Sequence, residues 1–226
     1  MADLAEFAMR DVYDFAKFFI KNGADSTPDT YDGNMKLQKL LVLADLASIS
    51  EFGEPLFNDE ILAFENGCVI EKVRLRYKND YSEFKQESVD FQPDFSEKEY
   101  YILNLITDIF GNASAKELSE INHTFDFWKK ALVKGTNDYG FHDKKSSVVD
   151  IMSQKGDIKR MKEVIDAFKK SSREELQKET INGVTYYFDK VFVLTDEIIS
   201  KLEKFSSSAE DDSYTIYLDS GNPVIY

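Results

Sequence analysis

Between Met35 and Ile49 the chain carries apolar residues on every side of a helix. At about 100° per residue, Leu37, Leu40, Leu41, Val42, Leu43, Ala44, Leu46 and Ala47 cover nearly the whole circumference. A helix that is apolar all round belongs at the centre of a bundle, because any exposed face would leave hydrocarbon in water. The segment therefore predicts a buried rod around which the rest of the chain packs. Its polar residues gather at one end: Lys36, Gln38 and Lys39 crowd the first turn, with Asp45 two turns below Gln38. Lys36 and Lys39 either snorkel from this rod or meet a partner.

Other helices announce themselves by period and caps. Leu4, Phe7, Ala8, Val12, Phe15 and Phe19 recur at helical spacing over residues 4–22, and Gly23 is placed to close the helix. Residues 24–33 read as a loop, and Phe52–Phe57 as a turn bearing Gly53 and Pro55. Ile61–Ile70 allows a small hairpin, with Gly67 near its tip. Glu71–Lys78 looks helical and carries Lys72, Arg74, Arg76 and Lys78, a local basic patch. Ser96 with Glu99 and Ser114 with Glu117 form two capping boxes, opening helices that run to Phe110 and to about His123. A short helix holding Trp128 follows, with Asp126 as its expected cap, and then a polar loop from Gly135 to Ser147. Residues 157–170 predict an amphipathic helix with Ile158, Met161, Val164, Ile165 and Phe168 inward.

The character changes after about residue 170. Asn182-Gly183 between β-branched residues is the signature of a type I′ hairpin. The strand after it is expected to run through Tyr186–Phe188 toward Val191. Thr195, followed by Asp196 and Glu197, caps a helix ending at Phe205. A Ser/acidic linker over 206–212 leads to a last strand, Tyr214–Leu218. The fold class is α+β, mostly α: a compact helical core over residues 1–170 around the buried central helix, with small β-hairpin elements. Residues 171–226 form a C-terminal β-α-β appendage.

With 226 residues, 18 Phe and 12 Tyr, the chain can bury a sizeable core. No apolar run approaches the roughly 20 residues that span a bilayer, and the first residues are acidic where a signal peptide is basic. A lone cysteine, Cys68, forms no internal disulfide and fits a reducing cytoplasm. The net charge of −14 repels phosphate backbones, so binding of nucleic acid by the chain alone is not expected. It equally steers a basic protein partner toward the surface.

The inventory argues against an enzyme. Only His123 and His142 are histidines, and neither stands at metal-ligand spacing from Cys68. A Cys68/His123 nucleophile pair stays open, since such partners meet only in space, although a lone cysteine beside Gly67 and Val69 is more often a small buried residue. No dinucleotide fingerprint, phosphate loop or nucleophile elbow is present, and no cofactor is expected. His123 and Trp128 stand five residues apart across the bend Thr124-Phe125-Asp126. They read either as a packed corner or as a hot spot for a partner.

Four segments in order resemble one family. They are Lys36-Leu37-Gln38-Lys39-Leu40-Leu41, Phe52-Gly53-Glu54-Pro55-Leu56-Phe57, Ala63-Phe64-Glu65-Asn66-Gly67-Cys68-Val69, and Leu118-Ser119-Glu120-Ile121-Asn122-His123 leading into Trp128-Lys129-Lys130-Ala131. Together they resemble the Panacea domain of SocA-like bacterial and phage antitoxins. Two places depart from its pattern: Phe64–Val69 replaces an aromatic-Gly-Pro-Val stretch, and Phe127 stands where proline is common. The resemblance implies a cytoplasmic antitoxin, of prophage type, that neutralises a cognate protein toxin by direct stoichiometric binding. One relative instead acts as an adaptor delivering its toxin to a cellular protease. From a different class comes an acidic phage-type inhibitor that mimics nucleic acid. The expected partner-binding residues are Lys36, Gln38, Lys39, Glu120, His123 and Trp128 in the core, with Asp211 and Asp212 in the appendage. That appendage holds 5 basic and 11 acidic residues, a net of −6, and is expected to act as a partner-selective clamp.

Overall fold

The computed structural model describes residues 9–189, 192–219 and 222–225. The chain divides into two compact units, Met1–Glu163 and Val164–Tyr226.

The first unit is built on helix α2, Tyr31–Phe52, whose residues from Lys36 to Ile49 are all buried. It is longer than its apolar stretch at both ends. Thr30 Oγ1 accepts from the Gly33 N–H at 3.0 Å, and Gly53, at φ +75°, closes the helix in the left-handed region. The first helical residues therefore come from a segment that reads as loop. Around α2 pack α1 (Val12–Lys21), α3 (Glu71–Asn79), α5 (Glu97–Phe110) and α6 (Ala115–Thr124). Asp11 caps α1 by accepting from the Tyr13 N–H at 2.9 Å; Leu4, Phe7 and Ala8 lie outside the described residues.

Both capping boxes form, at Ser96/Glu99 and Ser114/Glu117. Asp126 does not cap its helix: α7 spans Asp126–Gly135 and Asp126 is already inside it. The role falls to a distant carboxylate, Asp157, whose Oδ2 accepts from the Phe127 N–H at 2.9 Å. An additional helix, α4 (Tyr81–Asp90), packs on α1 and buries Phe84 and Ser88. The segment is otherwise polar, which is why its period is faint. Three of the four cations of the basic patch on α3 are paired from within the unit. Lys72 pairs with Asp11 at 2.9 Å and Asp59 at 2.7 Å, Arg74 with Glu71 at 2.6 Å, and Arg76 with Glu87 at 2.6 Å. The division between the units falls within α8 (Lys155–Glu175), where Met161 and Ile165 are buried but Val164, expected inward, is 38 % exposed. An i, i+4 pair defines the centre of the stripe, and Val164 falls at its margin.

The second unit carries a four-stranded sheet in the order β3-β4-β5-β6. β3 (Gln177–Ile181) and β4 (Val184–Phe188) form the expected hairpin, with Asn182 at φ +51° and Gly183 at φ +87°. That pair of positive angles is what a type I′ turn requires. β5 (Ser213–Asp219) pairs parallel with β4 after crossing through α9 (Asp196–Ser206), giving the β-α-β element. Thr195 caps α9 as expected. β4 ends at Phe188, and Val191 lies outside the described residues. β5 is not the last strand: β6 (Asn222–Ile225) pairs antiparallel with it. Pro223 within β6 disguises it, since proline is tolerated in a strand only at an edge, and β6 is an edge. Tyr186, Phe188, Leu202 and Ile216 lie in the core of this unit.

Candidate functional site

The polar end of α2 serves a two-stranded hairpin, β1 (Leu62–Phe64) and β2 (Gly67–Val69), turned by Glu65 and Asn66. A hairpin this short is not stable alone, and side chains from distant elements hold it. Gln38 Oε1 accepts from the Ile70 N–H at 2.8 Å. Lys39 Nζ donates to the Cys68 carbonyl at 3.0 Å, and Asn122 Oδ1 accepts from the Cys68 N–H at 2.7 Å. Ser119 Oγ donates to the Asn66 carbonyl at 3.0 Å, and the Trp128 indole N–H donates to the Phe64 carbonyl at 2.8 Å. Gly67 sits at φ +98°, where a Cβ would lie 2.6 Å from Asn122 Oδ1 and 2.8 Å from Lys39 Cε. Only glycine fits between the two grips.

His123 stacks on Trp128 with ring centroids 4.2 Å apart and 26° between planes. Burial lowers its pKa; a hydrogen bond to the Glu65 backbone works the other way, and the charge of Lys39 adds to the lowering. The pair forms a stacked corner that fastens on to the hairpin through the Trp128 indole. Burial pushes the Cys68 thiol up to about 12 against the opposing effects of Lys39 and Asn122. It is fully buried and protonated at neutral pH, which is not the state of a nucleophile.

Lys39 is 1 % exposed, and burial lowers its pKa to about 8. It has one hydrogen-bond acceptor and no ion-pair partner among the described residues. Beside it opens a cavity of about 350 Å³, whose lining includes Tyr31, Met35, Lys39, Phe64, Arg74 and His142. Tyr31, 66 % exposed, receives a hydrogen bond from Asn66 Nδ2 at 2.7 Å. Both ring nitrogens of His142 are shielded from solvent and have no hydrogen-bond partner among the described residues. Its ring meets Phe64 edge-on at 5.7 Å.

Of the residues expected at a binding site, the structure brings Gln38, Lys39, His123 and Trp128 together on the hairpin. Lys36 lies apart from this group: its ammonium donates to the Gly111 carbonyl at 2.7 Å and to Ser26 Oγ at 3.0 Å, tying the end of α5 to the loop before α2. Glu120 is exposed, 3.9 Å from Lys116. Asp211 and Asp212 are exposed in the second unit. Sequence reasoning missed Ser119 and Asn122 as functional positions. Their signal was available: both are polar, three residues apart, on the helix face that carries Leu118.

Residues 37–129 match the family described as Antitoxin SocA-like, Panacea domain. Over those residues the chain is similar to a SocA-like Panacea domain. The Panacea match opens inside α2 and closes inside α7, so it spans the hairpin and the five side chains that grip its backbone. The second unit lies outside it. No curated protein and no solved structure matches the chain. No helix among the described residues is long and apolar enough to cross a membrane.

Proposed function

We infer that the protein is an antitoxin that neutralises a cognate protein toxin by direct stoichiometric binding. The observation that carries this reading is the antitoxin-type Panacea domain over residues 37–129. Its centre is a hairpin held rigid by five side chains, the kind of preorganised surface that binds without a large ordering cost. The net charge of −14 supports a basic partner through steering of the encounter. Residues 171–226, with Asp211 and Asp212 exposed, are assigned the selection of that partner, and the complex is placed in the cytoplasm.

The test is to express the product of the neighbouring reading frame with and without this chain. Restored growth together with a fixed-ratio complex by light scattering is the expected result. A neighbour that is not toxic, or toxicity that persists on co-expression, overturns the reading. Relief that disappears when a cellular protease is deleted replaces neutralisation with delivery for degradation.

A further inference from the structure

We propose that the cavity between the first turns of α2 and the β1–β2 hairpin receives an apolar side chain of the partner together with an adjoining carboxylate. The inference rests on the antitoxin reading and names the chemistry that the Panacea surface would recognise.

The cavity walls are largely apolar, from Met35, Phe64 and the ring of Tyr31, and its volume of about 350 Å³ suits a large side chain. The polar groups on it are unusual in what they lack. Lys39 is buried with a single carbonyl acceptor and no carboxylate within ion-pair distance among the described residues. An ammonium has three donors, and a buried charge without a counter-charge is costly unless something completes it. His142 brings two shielded ring nitrogens with no hydrogen-bond partner among the described residues. Arg74 adds a second cation, already paired with Glu71 at 2.6 Å. Glu65 is the one carboxylate among the lining residues, and it is exposed to solvent. Lys39 is thus a buried donor met by a single carbonyl among the described residues. A carboxylate bound at Lys39 supplies the missing acceptor, and an apolar side chain beside it fills the volume. Tyr31 and Arg74 at the cavity belong to residue types that dominate binding hot spots.

The test uses two small probes on the whole protein: N-acetyl-L-phenylalanine in its carboxylate form, and its uncharged amide. Titrations followed by NMR should move the resonances of Tyr31, Met35, Phe64 and His142. The carboxylate should bind about ten-fold more tightly, the gain expected of one charge-assisted hydrogen bond. Lys39→Met should abolish that difference. If Lys39→Met does not fold, Met35→Phe, which fills the cavity, should weaken both probes. Equal binding of the two probes, or shifts that avoid these residues, overturns the proposal. Co-expression with the toxin then separates the two inferences. If the wild type neutralises and Met35→Phe neutralises equally well, the cavity is not the docking point although the antitoxin reading survives. A wild type that never neutralises removes the antitoxin reading whatever the probes do.

Discussion

Lys39 and Asn122 take hold of the two backbone groups of a single residue, Cys68: one donates to its carbonyl at 3.0 Å and the other accepts from its N–H at 2.7 Å. The two side chains come from α2 and α6, so Cys68 is where the central helix, the hairpin and α6 meet. Asn122→Ala removes the acceptor and leaves the Cys68 N–H buried without a partner. That should cost roughly 1–3 kcal/mol, read as a lowered midpoint in urea. A change no larger than that of a surface substitution, about 0.5 kcal/mol, would mean the hairpin is held without it.

Leu40 and Leu41 are fully buried in the central helix. Truncation of either to alanine removes packed hydrocarbon and leaves a cavity, so each variant should lose roughly 2–5 kcal/mol. Denaturant melts of the purified variants measure it. Losses near zero would contradict the central position of α2.

Asp45 gives a pH dependence with a definite sign. It is buried in α2, and Oδ1 accepts from the Leu56 N–H at 2.7 Å. Burial raises its pKa from 3.8 to about 7, against the pull of hydrogen bonds from the Leu56 and Phe57 backbone. Between these two values the folded chain keeps a proton that the unfolded chain has lost. Stability therefore falls as pH rises, by up to about 1.4 kcal/mol per pH unit from this group. Asp11, Glu71 and Asp143 have lowered pKa values and act in the opposite sense at acid pH. The comparison with Asp45→Asn isolates the residue, because asparagine keeps the acceptor oxygen without the proton. The stability of the variant relative to wild type should rise between pH 4 and pH 7. A constant difference across that range would show that Asp45 does not carry the proton.

Asp211 and Asp212 engage the fold through their backbones: the Asp211 N–H donates to Tyr214 Oη at 2.9 Å, and the Asp212 carbonyl accepts from the Thr185 N–H at 2.9 Å. Replacing both with lysine should leave the melting midpoint within about 0.5 kcal/mol of wild type. If the appendage steers a basic toxin, the double variant should associate more slowly while dissociation changes little. Equal association rates would take these residues out of the encounter.

Much of the architecture was legible because it rests on local signals. The all-round apolar run marked α2, two Ser/Glu pairs marked α5 and α6, and Asn182-Gly183 marked the β3–β4 turn. What escaped was decided by partners far away in the chain. Asp157 caps α7 from another helix, so Asp126 looked like the cap. α4 is held by Phe84 and Ser88 against α1, too few positions to show a period. Lys72 and Arg76 of the basic patch on α3 are paired because Asp11, Asp59, Glu83 and Glu87 reach them from elsewhere. At the candidate site, α2 and the His123–Trp128 corner stood out by composition, whereas Tyr31 and His142 take their meaning only from the cavity they share.

All five grips on the β1–β2 hairpin close on main-chain atoms: two amide hydrogens, at Cys68 and Ile70, and three carbonyls, at Phe64, Asn66 and Cys68. Main-chain atoms are the same whatever residue carries them. These five grips therefore put no demand on the side chains along the hairpin, other than glycine at 67, where a Cβ would collide with Asn122 and Lys39. What holds the hairpin in place is thus separate from most of what the hairpin displays.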